Sequence, residues 1–344
     1  MKASRPVQTR ELPSPASFGP GAVLLHDRRL STLVPGFRAW SHGFKARLGL
    51  TAGEGLKSID ALPGFIRKLT GLTRGYSRRE ARLVCVGGGS IGDFGGFAAS
   101  ILKRGIGLVH VPSTWLAAVD SAHGGKTALN VGGAKNQIGT FYPADRTLLV
   151  KSLLFTGPAR RAREGLSELL KVALLDGGPW THRLFKDRKE DADLIWKYLQ
   201  AAIMAKWRVV VEDPEERTGH RQILNLGHTL GHVLEAHHGI SHGRAVAQGL
   251  FFALDWSRRS GRLKKSDHAS FLEILSSRTG EESLVRTLGG ISRKKFLSLL
   301  SQDKKSGSGS EVTFIFLRGL GHPVRTRVSL EEVADEARRQ GWVQ

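Results

Sequence analysis

Arg82-Leu83-Val84-Cys85-Val86-Gly87-Gly88-Gly89-Ser90-Ile91-Gly92-Asp93 is the stretch that decides the fold. It opens with a short apolar run, turns through three consecutive glycines, and leads into an apolar, alanine-containing stretch from Phe94 to Leu102. A brief apolar run bounded by glycine suits a buried strand, and the longer segment suits a helix packed on it. A second run, Gly107 to Val111, completes a strand–turn–helix–strand unit. Glycines at such a turn let the backbone approach a pyrophosphate, and the helix N-terminus adds unpaired N–H groups and a favourable dipole. The spacing is not that of the GxGxxG fingerprint, which carries an acidic residue about 20 positions later, so a tight structural turn stands beside the dinucleotide-binding one.

Working outward, Ala22 to Leu25 and Thr147 to Val150 are further short apolar runs separated by glycine-rich turns. From about Arg160 the texture changes to helical periodicity over Gly165 to Leu175, Asp193 to Val211, Ile223 to Ala236 and Ala245 to Ser257, with strand-like sequence at Val312 to Leu317. A chain of 344 residues exceeds what one core usually supports. We therefore expect a Rossmann-like α/β nucleotide-binding domain over residues 1–155 and a mainly α-helical domain over 156–344, packed around one cleft. Ser306-Gly307-Ser308-Gly309-Ser310 reads as a flexible turn.

Composition narrows the function classes. No stretch approaches the roughly 20 apolar residues of a membrane span, and the N-terminus lacks the apolar run of a secretory signal, which points to a soluble cytoplasmic protein. The single cysteine, Cys85, sits in a strand-like run, so internal disulfides are excluded and a reducing compartment fits. Lys plus Arg number 52 against 31 Asp plus Glu. These basic residues fall in short scattered clusters such as Arg160-Arg161-Ala162-Arg163 and Arg293-Lys294-Lys295, without aromatic interleaving or zinc-ribbon cysteines, which argues against specific nucleic-acid binding. An enzyme for anionic substrates accommodates the charge equally well.

Two further segments carry chemistry. Asp120-Ser121-Ala122-His123-Gly124-Gly125-Lys126-Thr127, followed by Lys135-Asn136, places lysines and an asparagine beside glycine turns, a set suited to phosphate, carboxylate and hydroxyl groups. In Asn225-Leu226-Gly227-His228-Thr229-Leu230-Gly231-His232, the two histidines lie four apart on one helical face, and His242 follows a turn at Gly239 that can return it to that face. Glu168 is a carboxylate within the apolar helix Gly165-Leu166-Ser167-Glu168-Leu169-Leu170-Lys171 and needs a partner. Two histidines and a carboxylate leave a coordination position open, the arrangement of a catalytic metal rather than a structural one. The competing account is a set of surface or hydrogen-bonded histidines in a chain that has 13 of them.

Together these segments resemble the 3-dehydroquinate synthase family of sugar-phosphate cyclases, in order and spacing, from about Gly53 to Lys305. Gly53-Glu54-Gly55-Leu56-Lys57 is similar to the family's GExxK, and Pro112-Ser113-Thr114-Trp115-Leu116-Ala117-Ala118-Val119-Asp120-Ser121-Ala122-His123-Gly124-Gly125-Lys126-Thr127 to its PTTLLAxVDSSxGGKT. The resemblance implies NAD held by Glu54, Lys57, Gly87, Gly88, Gly89 and Asp93, with Ser113, Thr114, Leu116, Lys135 and Thr156. It implies a divalent metal, zinc or cobalt, on Glu168, His228 and His242. Catalytic roles fall to His232, Lys126, Lys171, Arg221 and Asn225, and substrate contacts to Asp120, Asn136, Lys206, Lys304 and Lys305. Arg104 would reach the substrate phosphate of a neighbouring subunit, hence a homodimer.

The implied activity is conversion of 3-deoxy-D-arabino-heptulosonate 7-phosphate into 3-dehydroquinate and phosphate, a carbon–oxygen lyase step of the shikimate pathway with transient reduction of NAD. Alternatives are a cyclase for sedoheptulose 7-phosphate or glucose 6-phosphate, an NAD-dependent polyol dehydrogenase, or an inactive basic binding protein. Departures from the family pattern are Arg244 in place of a glutamate, Ser113, His123, an extra residue between Glu216 and Gly219, and Asp27-Arg28-Arg29 at the first nucleotide-binding loop.

Overall fold

The structure, a computed structural model, describes residues 6–280, 288, 290–302 and 310–344. Lys304, Lys305 and the serine–glycine patch up to Gly309 lie outside the described residues. The chain divides into two compact units, Met1–Arg161 and Ala162–Gln344.

In the first unit, strands β1 (Val7–Thr9), β2 (Ala22–Asp27), β3 (Ala46–Leu50), β4 (Arg82–Gly87), β5 (Gly107–Pro112) and β8 (Arg146–Val150) form a sheet in the order β1-β8-β5-β4-β2-β3. Every pairing in it is parallel. Along β4, Leu83 and Cys85 enter one core with Phe65 of α1 (Leu62–Leu72) and Phe94 and Phe97 of α2 (Gly89–Ile101). Val84 and Val86 enter another with Phe18, Phe37 and Val109. A parallel strand covered on both faces must be apolar at each position, which explains the unbroken run in the sequence. Cys85 is free and buried, and burial pushes its thiol pKa up.

Between β5 and β8 the chain forms α3 (Trp115–Val119) and then an antiparallel hairpin of β6 (Lys126–Val131) and β7 (Ala134–Phe141). The sequence gives no apolar run for β7, which is exposed almost throughout.

The second unit is built on α4 (Ala159–Asp176), α5 (Asp191–Glu212), α6 (His228–His238) and α7 (His242–Arg259), with an antiparallel pair β9 (Glu311–Leu317) and β10 (Pro323–Ser329) and a closing helix α8 (Leu330–Arg339). Helical periodicity over Ile223 to Ala236 predicts one helix, and the structure divides it. A 3-10 turn over His220–Asn225 ends before Gly227, whose φ of 79° breaks the helix, and α6 starts at His228. The reason is close backbone packing: a Cβ on Gly249 of α7 would lie 1.7 Å from the Gly227 carbonyl oxygen. Only glycine at both positions lets α7 approach the start of α6 so closely.

Candidate active site

Glu168 projects from the middle of α4, where the surrounding residues Gly165 to Leu175 are all buried, and its own side chain is fully buried. His228 opens α6, and His242 opens α7 after Gly239, left-handed at φ 65°, has ended α6. One ligand atom from each of the three lies within 4.8 Å of the others. His228 Nε2 is 3.5 Å and His242 Nε2 3.3 Å from Glu168 Oε1.

The outer ring nitrogens are anchored elsewhere. His228 Nδ1 lies 3.2 Å from the Leu226 carbonyl oxygen and His242 Nδ1 3.0 Å from Glu235 Oε2. Both partners are acceptors, so each Nδ1 donates and a neutral ring carries its lone pair on Nε2, aimed at the carboxylate. Lys171 Nζ, one turn along α4, is 2.6 Å from Glu168 Oε2, yet among the described residues neither oxygen of Glu168 accepts a directed hydrogen bond. Three electron-rich atoms converging on one buried point are stabilised by a cation, and the two-histidine, one-carboxylate donor set suits zinc or cobalt. Glu168, His228 and His242 therefore fit a divalent metal.

The electrostatics agree. Burial opposes ionisation of Glu168, but Lys171 and the two histidine rings beside it hold its carboxyl well below the usual range. Burial and then Lys171 push His228 well down. Burial also lowers His242, but the adjacent Glu168 carboxylate and the hydrogen bond to Glu235 outweigh it and raise the imidazole to about 10. The site thus favours positive charge at the very atoms where a metal would sit.

His232, one turn along α6, has its ring centroid 5.2 Å from that of His228 and 6.4 Å from that of His242. Lys171, Lys206 and Arg221 are all buried, against the usual exposure of such residues. Arg221 is presented by a loop closed on Asp213, whose Oδ1 accepts from Thr218 N at 3.1 Å and Oδ2 from Arg221 N at 3.2 Å. The guanidinium donates to the Pro214 carbonyl at 2.8 Å. Asn225 is exposed at the end of the 3-10 turn. Glu235 escaped the sequence reading because an acidic residue on a helix normally faces solvent, and its pairing with a histidine seven residues on depends on the turn at Gly239.

In the first unit, the three glycines close β4 and open α2, whose N-cap, Gly88, supplies no side-chain cap. A Cβ on Gly88 would meet Thr114 Cγ2 at 3.2 Å, so this backbone is open to a close-lying ligand only as glycine. A pocket beside the turn is lined by Gly87, Gly88, Asp93, His110, Ser121 and Lys126, among others. Lys57 Nζ donates to Asn136 Oδ1 at 2.7 Å and pairs with Asp93 at 2.8 Å, while Asn130 bridges Glu54 and the Asn136 backbone. Burial raises the Asp93 pKa, opposed by the Lys57 charge. A bare helix N-terminus over a glycine turn, with polar side chains around the opening, fits a dinucleotide phosphate.

The other predicted contacts are placed less centrally. Ser113 N donates to the Gly87 carbonyl, and Thr114 caps α3. Leu116 and Asp120 are half-buried, and Lys135 lies exposed on β7. The Thr156 hydroxyl donates to the carbonyls of Leu153 and Ser152. Arg104 is exposed with φ 63° beside Lys103, and no side-chain hydrogen bond or ion pair holds it among the described residues.

Comparison with known proteins decides the family. The model of the 3-dehydroquinate synthase N-terminal domain matches residues 47–164, and that of the C-terminal domain residues 165–306. The chain belongs to the 3-dehydroquinate synthase family. It is 35% identical to the 3-dehydroquinate synthase of Methylacidiphilum infernorum over 89% of this chain and 83% of that one. With the 3-dehydroquinate synthase of Zymomonas mobilis it shares 37% identity over 83% and 76% of the two chains. Among solved structures it is similar to 2-deoxy-scyllo-inosose synthase complexed with carbaglucose-6-phosphate, NAD+ and Co2+, at 25% identity and a TM-score of 0.80 over 94% of this chain and 92% of that one. This chain's fold, a Rossmann-like α/β unit followed by a helical unit, is thus shared with that solved structure over most of both chains. No helix among the described residues is long and apolar enough to cross a membrane.

Proposed function

We propose that this chain is a 3-dehydroquinate synthase that converts 3-deoxy-D-arabino-heptulosonate 7-phosphate into 3-dehydroquinate and phosphate. The observation that carries the reading is the buried Glu168 carboxylate faced by two histidine nitrogens whose outer atoms are already anchored. Glu168, His228 and His242 would hold a divalent metal, and the glycine turn with Glu54, Lys57 and Asp93 would hold NAD. When bound, the metal supplies Lewis acidity toward substrate oxygens and the nicotinamide a reversible hydride acceptor.

The chain's own residues supply the rest. Lys171 is held beside Glu168 by the helical spacing of three and remains a buried positive charge that favours an anionic substrate. Arg221 offers a carboxylate-recognising fork, oriented by the Asp213 loop. His232, beside the metal ligands, is the group proposed to take and return protons, while Lys126, Lys206, Asp120, Asn136 and Asn225 bind the polyol, carboxylate and phosphate. Substrate phosphate contact from Arg104 of a second copy, assembly as a homodimer, and a cytoplasmic setting belong to the same proposal.

Purified protein supplied with the heptulosonate phosphate, NAD and zinc tests it. Release of inorganic phosphate is expected. Absence of phosphate release from metal-loaded protein contradicts the proposal, and release from glucose 6-phosphate instead would assign the chain to the alternative cyclase activity.

A further inference from the structure

His110 brings an imidazole into an apolar layer. It stands near the end of β5, where parallel pairing sets it beside Cys85 of β4 and Thr147 of β8. Side chains two apart on a strand share a face, and on this face Leu83, Cys85 and Leu108 belong to the core packed under α2. In that company His110 is only 9% exposed. Burial alone pushes its pKa down to about 4, so near neutral pH the ring is uncharged, with one N–H to donate and one lone pair to accept.

The ring finds no partner within the chain. Among the described residues it makes no hydrogen bond and no ion pair, and the neighbouring Thr147 hydroxyl is engaged elsewhere, donating to the Ala122 carbonyl at 3.3 Å. Leaving a buried polar group unpaired costs stability, and most such groups are paired. Neither ring nitrogen is sealed from its surroundings. The ring lines the pocket at the glycine turn together with Gly87, Gly88 and Lys126. It lies under the first turn of α2, where a Cβ on Gly92 would meet its Cε1 at 3.5 Å and its Nδ1 at 3.7 Å. That turn is the one whose N-terminus carries no side-chain cap. A ligand drawn to the helix N-terminus therefore enters a pocket whose wall holds a neutral group with its hydrogen-bonding capacity unused.

We propose that His110 is a further binding residue of the dinucleotide site, a neutral imidazole whose missing hydrogen-bond partner is the bound nucleotide. The proposal rests on the dinucleotide reading of the glycine turn. Long-range proton–nitrogen correlation spectra of the full-length protein test it, the signals absent from His110→Gln identifying the ring among the other histidines. At least one nitrogen of His110 should shift as NAD+ saturates the protein. In calorimetric titration His110→Leu, which suits the apolar layer, should bind NAD+ about 10-fold more weakly, while His110→Gln, which keeps a donor and an acceptor, should stay within about 3-fold of the unsubstituted protein. ADP-ribose, which keeps the diphosphate and lacks the nicotinamide, locates the contact: equal losses for both ligands assign it to the diphosphate end, and a loss confined to NAD+ assigns it to the nicotinamide. NAD+ binding that leaves both nitrogens unshifted, or that His110→Leu does not weaken, overturns the role of His110 and leaves the dinucleotide reading standing. Failure of the unsubstituted protein to bind NAD+ overturns both.

Discussion

At the residue scale the account rests on what surrounds a buried carboxylate. Glu168 would be a costly group to bury alone, and it is stabilised by Lys171 on one side and two histidines on the other. Glu235 acts through His242: by accepting from Nδ1 it turns Nε2 toward Glu168. Removing such an outer partner typically weakens metal affinity ~10–100-fold. Glu235→Ala should show a loss in that range when zinc is competed against a chromophoric chelator, with the fold retained by circular dichroism; unchanged affinity would reduce Glu235 to a surface ion pair. Asp213 is a second supporting residue. Although burial opposes ionisation, the N–H groups of Arg221 and Thr218 lower its pKa from 3.8 to about 2. A depressed folded-state pKa contributes stability that is complete above the unfolded value and is lost as pH falls through the folded one. Denaturant unfolding should therefore weaken from about pH 4 down to pH 2, and Asp213→Asn should flatten that part of the profile.

At the element scale the proposed metal ligands depend on how α6 and α7 meet. His228 and His242 are first residues of their helices, so the approach of the two helices fixes their separation. Gly249→Ala places a methyl group 1.7 Å from the Gly227 carbonyl oxygen, which backbone cannot yield without moving the helices apart. Overpacking of this kind costs about 1–3 kcal/mol or more. The variant should unfold at lower denaturant and also retain less zinc; full retention of both would show that the helices tolerate separation. This dependence was not legible in the sequence. Helical periodicity continues through Leu226 and Gly227, and what breaks the helix is a contact with α7 that lies more than twenty positions away. The strand runs on β2, β4, β5 and β8 were legible because burial on both faces leaves few polar positions, His26, Asp27, His110 and Thr147 among them, whereas β7 and β10, exposed along one or both faces, carry no such mark.

At the scale of the whole molecule the basic excess is uneven. Lys plus Arg exceed Asp plus Glu by 15 in residues 1–161 and by 6 in residues 162–344. For a substrate bearing both a carboxylate and a phosphate, such a field raises encounter rates and is screened over a Debye length of about 10 Å at 0.1 M salt. The specificity constant should fall as potassium chloride is raised, with kcat changing less; salt independence would remove steering as the use of this charge. The metal cluster could be proposed from residue type and spacing, since Glu168, His228 and His242 are unusual in apolar helical surroundings. Lys171 against Glu168 follows from helical spacing as well, but the anchoring of His242 by Glu235 and of Arg221 by Asp213 requires turns whose closure only the structure displays.

The central claim, that Glu168, His228 and His242 hold one divalent metal needed for turnover, is tested most directly by elemental analysis of the purified protein and its Glu168→Ala variant, each paired with the phosphate-release assay. The account predicts about one zinc or cobalt ion per chain with phosphate release in the unsubstituted protein, and loss of both in the variant while the helical circular dichroism is kept. A variant that retains the metal and releases phosphate would contradict it.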